Sequence, residues 1–217
     1  MALAIVVMAA GKGTRMRSAR PKVLHRLGGR ALLQHVLAAA DGLGAERTLV
    51  VVGHGADAVE ASLAGRPGVR AVRQDPQLGT GHAVQHAAPF LGDAGTTLVL
   101  NGDTPLLETA TLQALVEASA GERLVLLTVA LDDPTGYGRI VRGPDGGIRA
   151  IVEQKDAAGS ERAIREVYTG VLAAPTVSLQ RWLGKLSNAN AAGEYYLTDI
   201  VALAVAEGTA VVGVAAA

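Results

Sequence analysis

The sequence predicts an α/β protein built on a mostly parallel sheet, with an antiparallel hairpin lobe added late in the chain. Two observations carry that prediction. Through about the first 130 residues, short β-branched or Leu-rich runs alternate with amphipathic stretches, the pattern that builds βαβ units. After Pro134 the alternation stops, and two strand-like runs flank a turn rich in Gly and Pro. Apolar residues make up 49% of the 217 positions and charged residues 18%, enough apolar material for one well-filled core and too much for a disordered chain.

Taken in order, Leu3–Met8, Thr48–Val52, Val69–Arg73, Thr97–Leu100 and Arg123–Val129 are the expected strands, each apolar and bounded by turn residues. Ala31–Ala40, Ala56–Leu63, Gly81–Ala88 and Thr109–Ala118 are the intervening helices, with Thr109 the expected cap of the last and Thr80 a candidate cap of the third. Tyr137–Arg142 and Ile148–Glu153 form the hairpin around Gly143–Gly147. A further strand at Glu166–Ala173 leads to a helix containing Trp182, a last helix follows Thr198, and a short strand ends near Val214. No internal repeat or linker interrupts the chain.

In open parallel sheets the ligand crevice lies beyond the carboxyl ends of the strands. Two chemistry-bearing segments follow strands directly and are therefore expected on one edge. The first is Ala9-Ala-Gly-Lys-Gly-Thr-Arg-Met16 with Pro21-Lys22, a Gly-rich loop with cations, suited to cradling phosphate. It is not a P-loop, since Gly11 and Gly13 stand too close together, and Met16 occupies the third Gly position of a dinucleotide fingerprint. The second is Leu98-Val-Leu-Asn-Gly-Asp103, a carboxylate at a strand end. One such carboxylate suits Mg²⁺, which completes its octahedron with phosphate oxygens and water.

Composition excludes several classes. Net charge is zero with no long basic stripe, and one Phe, one Trp and four Tyr give little material for stacking bases, which argues against nucleic-acid binding. Without cysteine there is neither a disulfide framework nor a thiolate metal site. His82 and His86 have the i, i+4 spacing of a zinc helix, but Ala83 stands where the metalloprotease pattern needs Glu. Packing is the expected role for these and for His25, His35 and His54. No segment is long enough to span a membrane, and the apolar start lacks a basic leader, so a cytoplasmic protein is expected.

Several motifs occur in sequence order: the loop Ala9–Met16, Gln77-Leu-Gly-Thr-Gly-His-Ala83, Gly102-Asp103, Asp132-Asp-Pro-Thr-Gly-Tyr-Gly-Arg139, Val152-Glu-Gln-Lys-Asp156 and Gly193-Glu-Tyr-Tyr-Leu-Thr-Asp199. Together they resemble the sugar-1-phosphate nucleotidyltransferases. They most resemble the N-terminal uridylyltransferase domain of the bacterial bifunctional UDP-N-acetylglucosamine pyrophosphorylase/glucosamine-1-phosphate N-acetyltransferase family, and the resemblance runs nearly end to end. It implies a Rossmann-like nucleotidyltransferase fold, with a nucleotide-binding part at about 1–130 and a sugar-binding lobe at about 131–217. The implied reaction joins UTP and N-acetylglucosamine-1-phosphate with Mg²⁺, giving UDP-N-acetylglucosamine, a cell-wall and lipopolysaccharide precursor, and pyrophosphate.

The same resemblance implies roles for individual residues. Arg15 would face the leaving pyrophosphate, Lys22 would bridge the reacting phosphates, and Asp103 would hold the metal. Met8, Ala9, Ala10, Gly11, Asn101 and Gly102 would line the nucleotide. Gln74 would meet the uracil edge through its carboxamide, which both donates and accepts, with Gly79 and Thr80 beside the base. Gly138 and Glu153 would bind the sugar. Tyr168 departs from the pattern, because the family commonly carries Asn there; its hydroxyl is the expected substitute. Asn101 likewise stands where some members have Tyr.

The family also has an Asn metal ligand shortly beyond Ala217, and a left-handed β-helix that carries the acetyltransferase and forms trimers. The chain is thus expected to be an N-terminal piece, monomeric, with a short natural protein as the alternative; the full-length protein is expected to be a homotrimer. The rival functions are a related enzyme using another nucleotide or sugar, and a non-catalytic sugar-nucleotide sensor. Retention of Arg15, Lys22 and Asp103 argues against a sensor, which needs no leaving-group cation.

Overall fold

In the computed structural model, which describes residues 2–13 and 16–216, one nine-stranded sheet runs through the molecule. Its strands are β1 (Leu3–Ala9), β4 (Arg47–Val52), β5 (Val69–Arg73), β6 (Thr96–Asn101), β7 (Leu124–Ala130), β8 (Arg139–Arg142), β9 (Ile148–Val152), β10 (Glu166–Pro175) and β11 (Val211–Ala215). The two-residue strands β2 (Arg26–Leu27) and β3 (Arg30–Ala31) pair separately. The helices are α1 (Leu32–Asp41), α2 (Ala56–Ser62), α3 (Thr80–Ala87), α4 (Thr109–Ser119), α5 (Gly159–Arg162), α6 (Thr176–Leu183) and α7 (Ile200–Ala206). The expected elements are all present, with no end shifted by more than two residues. The β2–β3 ribbon and α5 are additions.

Across the sheet the order is β5-β4-β1-β6-β10-β7-β11. β1 is parallel to both β4 and β6, β4 to β5, and β7 to β11. β10 alone on this path runs antiparallel, between β6 and β7. The hairpin β8–β9 attaches to the amino-terminal half of β10 through the pair Val167 and Arg139.

Alternate residues of the central strands feed two cores. Ile5, Val7, Val50, Val52, Leu98 and Leu100 pack with α1, α2 and α4 on one face. Val6, Leu49, Val51 and Val99 pack with α3, α6 and α7 on the other. Because helices cover both faces, these strands are continuously apolar rather than alternating, which is why they were visible as runs. Trp182 is fully buried in the second core, and its indole N–H donates to Glu207 at 2.9 Å, tying α6 to the end of α7. Among the described residues no helix is long and apolar enough to cross a membrane.

One expectation fails. Thr109 does not cap α4. Its hydroxyl donates to the Ala39 carbonyl at 2.9 Å, the cap position is Glu108, and no side chain caps that end. A tertiary contact to α1 has taken the hydroxyl that a local reading assigned to the helix end.

Candidate active site

The chain leaves β1 toward β4 and β5 on one side and returns to β6 on the other. The carboxyl ends of β1 and β6 therefore form a topological switch point, the usual crevice of an open α/β sheet. Met8 lies opposite Asn101 in the β1–β6 register, and the Gly102 N–H donates to the Met8 carbonyl at 2.9 Å. Ala9 and Ala10 are buried there, Gly11 is exposed, and the Ala10 carbonyl accepts from His54 N–H at 3.1 Å.

The loop then folds back so that Lys22 comes against this edge. Gly13 has a left-handed φ of +58°, and a Cβ there would sit 2.6 Å from Lys22 Cβ, so only glycine permits the approach. Pro21 leads into a 3₁₀ turn, Lys22–Leu24, whose Val23 is buried and would lie 3.2 Å from a Cβ placed on Gly102. Val23 thus anchors the turn, and Lys22 makes an ion pair with Asp103. The loop after β1 and Asp103 after β6 thus share one edge, as expected, and the ion pair joins residues 81 positions apart. Arg15 and its neighbour Thr14 lie outside the described residues.

A second group gathers Gln74, Gly79 and Thr80. Gln74 follows β5 on the same edge, is 3% exposed, and donates through Nε2 to the Gly79 carbonyl at 3.0 Å. Thr80 opens α3 but does not cap it. Its Oγ1 instead accepts the Leu197 N–H at 3.0 Å. Gly79 has φ +112° and ψ 175°, and its backbone is pressed against residues 194–195.

A third group lies where the hairpin meets β10. The Tyr168 N–H donates to the Gly138 carbonyl at 2.9 Å, and Glu153 accepts from the Thr198 hydroxyl at 3.0 Å. Burial raises the Glu153 pKa above the usual carboxylate range, with Asp199, Asp156 and Glu194 adding to the rise against the Thr198 hydrogen bond. The Tyr168 hydroxyl is buried without a partner among the described residues. Burial first, and then the Glu153 charge, push its pKa upward. Arg139 is 1% exposed and donates to the Gln154 side-chain carbonyl at 2.7 Å and to the Tyr137 carbonyl, which stiffens the turn carrying Gly138. Asn101 joins the first and third groups: its amide rests where a Cβ on Gly170 of β10 would be.

The sequence reading quoted the motif Gly193–Asp199 but gave no site role to the residues in it, which link the second and third groups. The Tyr195 N–H donates to the Leu78 carbonyl and its own carbonyl accepts from Gly81 N–H, both at 2.8 Å. Leu197 binds Thr80 and Thr198 binds Glu153. The Tyr196 hydroxyl donates to Asp156 at 3.1 Å, and burial followed by that bond pushes its pKa up to about 12. The motif Gly193–Asp199 was the available signal, although no single residue in it was singled out. Of the histidines, His35 bonds the Leu27 carbonyl at 2.8 Å, and His82 meets His86 edge-on at 4.6 Å.

Asp103 offers one carboxylate, partly exposed beyond a strand end and paired with the Lys22 ammonium. Among the described residues no three His, Asp or Glu side chains converge to make a protein-only metal cage. A single carboxylate facing a phosphate cradle fits Mg²⁺, which keeps waters and substrate oxygens as ligands.

Comparison with known proteins gives the family and the fold. Residues 5–171 match the model of the MobA-like NTP transferase domain. A relative from Methylibium petroleiphilum named bifunctional protein GlmU is 64% identical over 216 residues, covering 97% of this chain and 47% of its own length. A protein of the same name from Acidovorax sp. is 62% identical over 216 residues, with 97% and 45% covered. The chain therefore spans about half the length of these curated relatives. Among solved structures, a UDP-glucose pyrophosphorylase complexed with UDP-glucose superposes with TM-score 0.77 at 17% identity, covering 95% of this chain and 88% of that one. A Bacillus anthracis chain described as a glucose-1-phosphate thymidylyltransferase, solved with sucrose, gives 0.81 at 18%, covering 100% and 87%. At such identities these two establish the fold.

Proposed function

Since the chain belongs to the MobA-like NTP transferase family, we propose that it transfers UMP from UTP to N-acetylglucosamine-1-phosphate, releasing pyrophosphate. The product, UDP-N-acetylglucosamine, would serve as a precursor for cell-wall and lipopolysaccharide synthesis. The observation that carries this reading is the pairing of Lys22 with Asp103 at the switch point. The choice of sugar and nucleotide follows the motif resemblance, above all Gln77–Ala83 and Gly193–Asp199.

In this reaction an oxygen of the sugar phosphate forms a bond to the α-phosphorus of UTP, and the bond from that phosphorus to the β-phosphate bridging oxygen breaks in line. No proton need be removed from an already ionised phosphate, so no general base is required. The barrier is mainly repulsion between anions, together with charge on the leaving group, and is lowered by positioning and fixed cations. Lys22, anchored by Val23 and Gly13, brings an ammonium group to the reacting phosphates. Arg15 is assigned to the pyrophosphate. Asp103 would hold Mg²⁺, which when bound neutralises phosphate charge. Gln74 and the Gly79 backbone receive the base. Gly138, Glu153, Thr198 and Tyr168 receive the sugar.

The test is pyrophosphate release from UTP and N-acetylglucosamine-1-phosphate with Mg²⁺ added or chelated. Asp103→Asn keeps the side-chain shape and removes the charge that a hard cation requires. The expected result is Mg²⁺-dependent release in the parent chain and its loss in the variant, with the fold intact by circular dichroism. Release indifferent to Mg²⁺, or unimpaired in the variant, would overturn the assignment. A stronger response to dTTP, CTP or GTP, or to glucose-1-phosphate, would move the enzyme to another branch of the family.

A further inference from the structure

The Gln74 carboxamide has two N–H donors and one carbonyl acceptor. One donor is fixed by the Gly79 carbonyl at 3.0 Å, an acceptor-only partner. The same nitrogen lies 3.1 Å from Nδ1 of His82. An amide nitrogen has no lone pair to offer, so Nδ1 must be the unprotonated acceptor, and the ring carries its proton on Nε2. Both donors are then occupied, and no described residue donates to Oε1. A uracil edge presents N3–H, which needs an acceptor, whereas cytosine presents the N3 lone pair, which an acceptor repels.

From this geometry we infer that His82, in its neutral Nδ1-accepting form, locks Gln74 with its carbonyl toward the base and so selects uracil over cytosine. The inference rests on the reading of Gln74 as the base-contacting residue. His82 is a positioning residue, acting through Gln74. Protonation would set N–H against N–H, and turning the amide to relieve that clash would set carbonyl against carbonyl at Gly79. The amide would then have no preferred sense, and discrimination would fall.

The surroundings keep the ring neutral. Burial lowers the His82 pKa below the ordinary histidine value and His86 on α3 lowers it further, against a smaller rise from the Pro76 backbone carbonyl. Tyr195 stacks on the ring at 6.0 Å. On the β5 side an open cleft of about 530 Å³ places Arg70 and Arg73 beside His82 and His86. Arg70 is held over the Phe90 ring, and Arg73 is engaged by Asp57 and Glu60. No carboxylate is among the residues lining that cleft.

The experiment measures the dissociation constants of UTP and CTP for the 217-residue chain by calorimetry between pH 7.5 and pH 5. Their ratio cancels the titration of the triphosphate common to both, and the profile of His82→Phe measures the share of any fall that belongs to protonation of cytosine N3. The preference for UTP is expected to fall roughly tenfold toward pH 5, the worth of about one hydrogen bond. His82→Phe keeps an aromatic ring without the acceptor, and is expected to show the low preference at every pH. His86→Phe is expected to retain the pH dependence. A preference that stays constant with pH in the parent chain overturns the lock, and this arm needs no variant to fold. If Gln74→Ala relaxes the preference but His82→Phe does not, the lock is wrong while base reading by Gln74 stands. If Gln74→Ala leaves the preference untouched, base reading by Gln74 fails and the lock fails with it.

Discussion

Replacing Gly79 by alanine adds one methyl group at a point where three segments meet. With φ +112° and ψ 175°, the backbone is in a region that residues with a Cβ occupy at a cost of about 1–3 kcal/mol. The new Cβ would lie 2.6 Å from the Tyr195 carbonyl oxygen and 2.9 Å from both Tyr195 N and Glu194 Cβ. Two of those three atoms are backbone, so the segment must shift as a unit. The shift breaks or stretches the Tyr195–Leu78 and Gly81–Tyr195 hydrogen bonds, worth about 0.5–1.5 kcal/mol each. Strain and lost bonds together come to about 2–6 kcal/mol. Gly65→Ala is the matched control: φ is +79°, but nothing lies within 4 Å of its Cβ, leaving only strain of about 1–2 kcal/mol. Urea unfolding of both variants separates collision from strain, and Gly79→Ala is expected to lose at least about 1 kcal/mol more. It is also expected to weaken UTP binding, because the Gly79 carbonyl anchors Gln74. Equal destabilisation of the two variants, within about 0.5 kcal/mol, would refute the claim that residues 194–195 press on this turn.

Tyr168→Phe removes a buried hydroxyl that has no partner among the described residues. Stability should hold or rise, while KM for the sugar phosphate should rise about two- to tenfold with KM for UTP unchanged, as for one lost hydrogen bond; an unchanged sugar KM would leave the hydroxyl without a substrate role. Glu153 has a folded-state pKa above its unfolded value, so its contribution to stability is full below about pH 4.5 and is lost as pH rises through the folded value. Glu153→Gln should therefore gain on the parent in urea melts at pH 7 relative to pH 4, and should bind the sugar phosphate more weakly; a difference that does not change with pH would count against the buried-charge assignment. Lys22→Ala should reduce turnover far more than it weakens binding of the nucleotide sugar product, and an effect confined to KM would make Lys22 an anchor rather than a catalyst.

That the loop after β1 and Asp103 after β6 share one edge was legible from the strand pattern; the ion pair of Lys22 with Asp103 was not, because it depends on the fold-back at Gly13. The parallel strands were legible because burial on both faces makes them unbroken apolar runs. What local patterns could not supply were contacts made across the chain. The hydroxyls of Thr109 and Thr80 look like helix caps in sequence, yet one serves α1 and the other Leu197. Residues 194–199 show neither helical nor strand periodicity, so their bridge between Gln74's surroundings and Glu153 emerges only from the fold. Likewise the sequence located Gln74 but gave no sense for its amide, which depends on which atoms surround it.

The antiparallel strand β10 sits between β6 and β7, although it comes 36 residues after β7 ends. On a ribosome, a nascent chain reaching Ala130 would carry both flanking strands but not the one that fills the gap. Until Pro175 emerges, β6 and β7 each present an unpaired edge, the kind of surface that recruits other chains. Completion of this sheet therefore needs late, long-range pairings, first of β10 between β6 and β7 and then of β11 against β7. Insertion of β10 brings Tyr168 into place and sets Gly170 beside Asn101, and residues 194–199 close over Gly79 and Glu153 only afterwards.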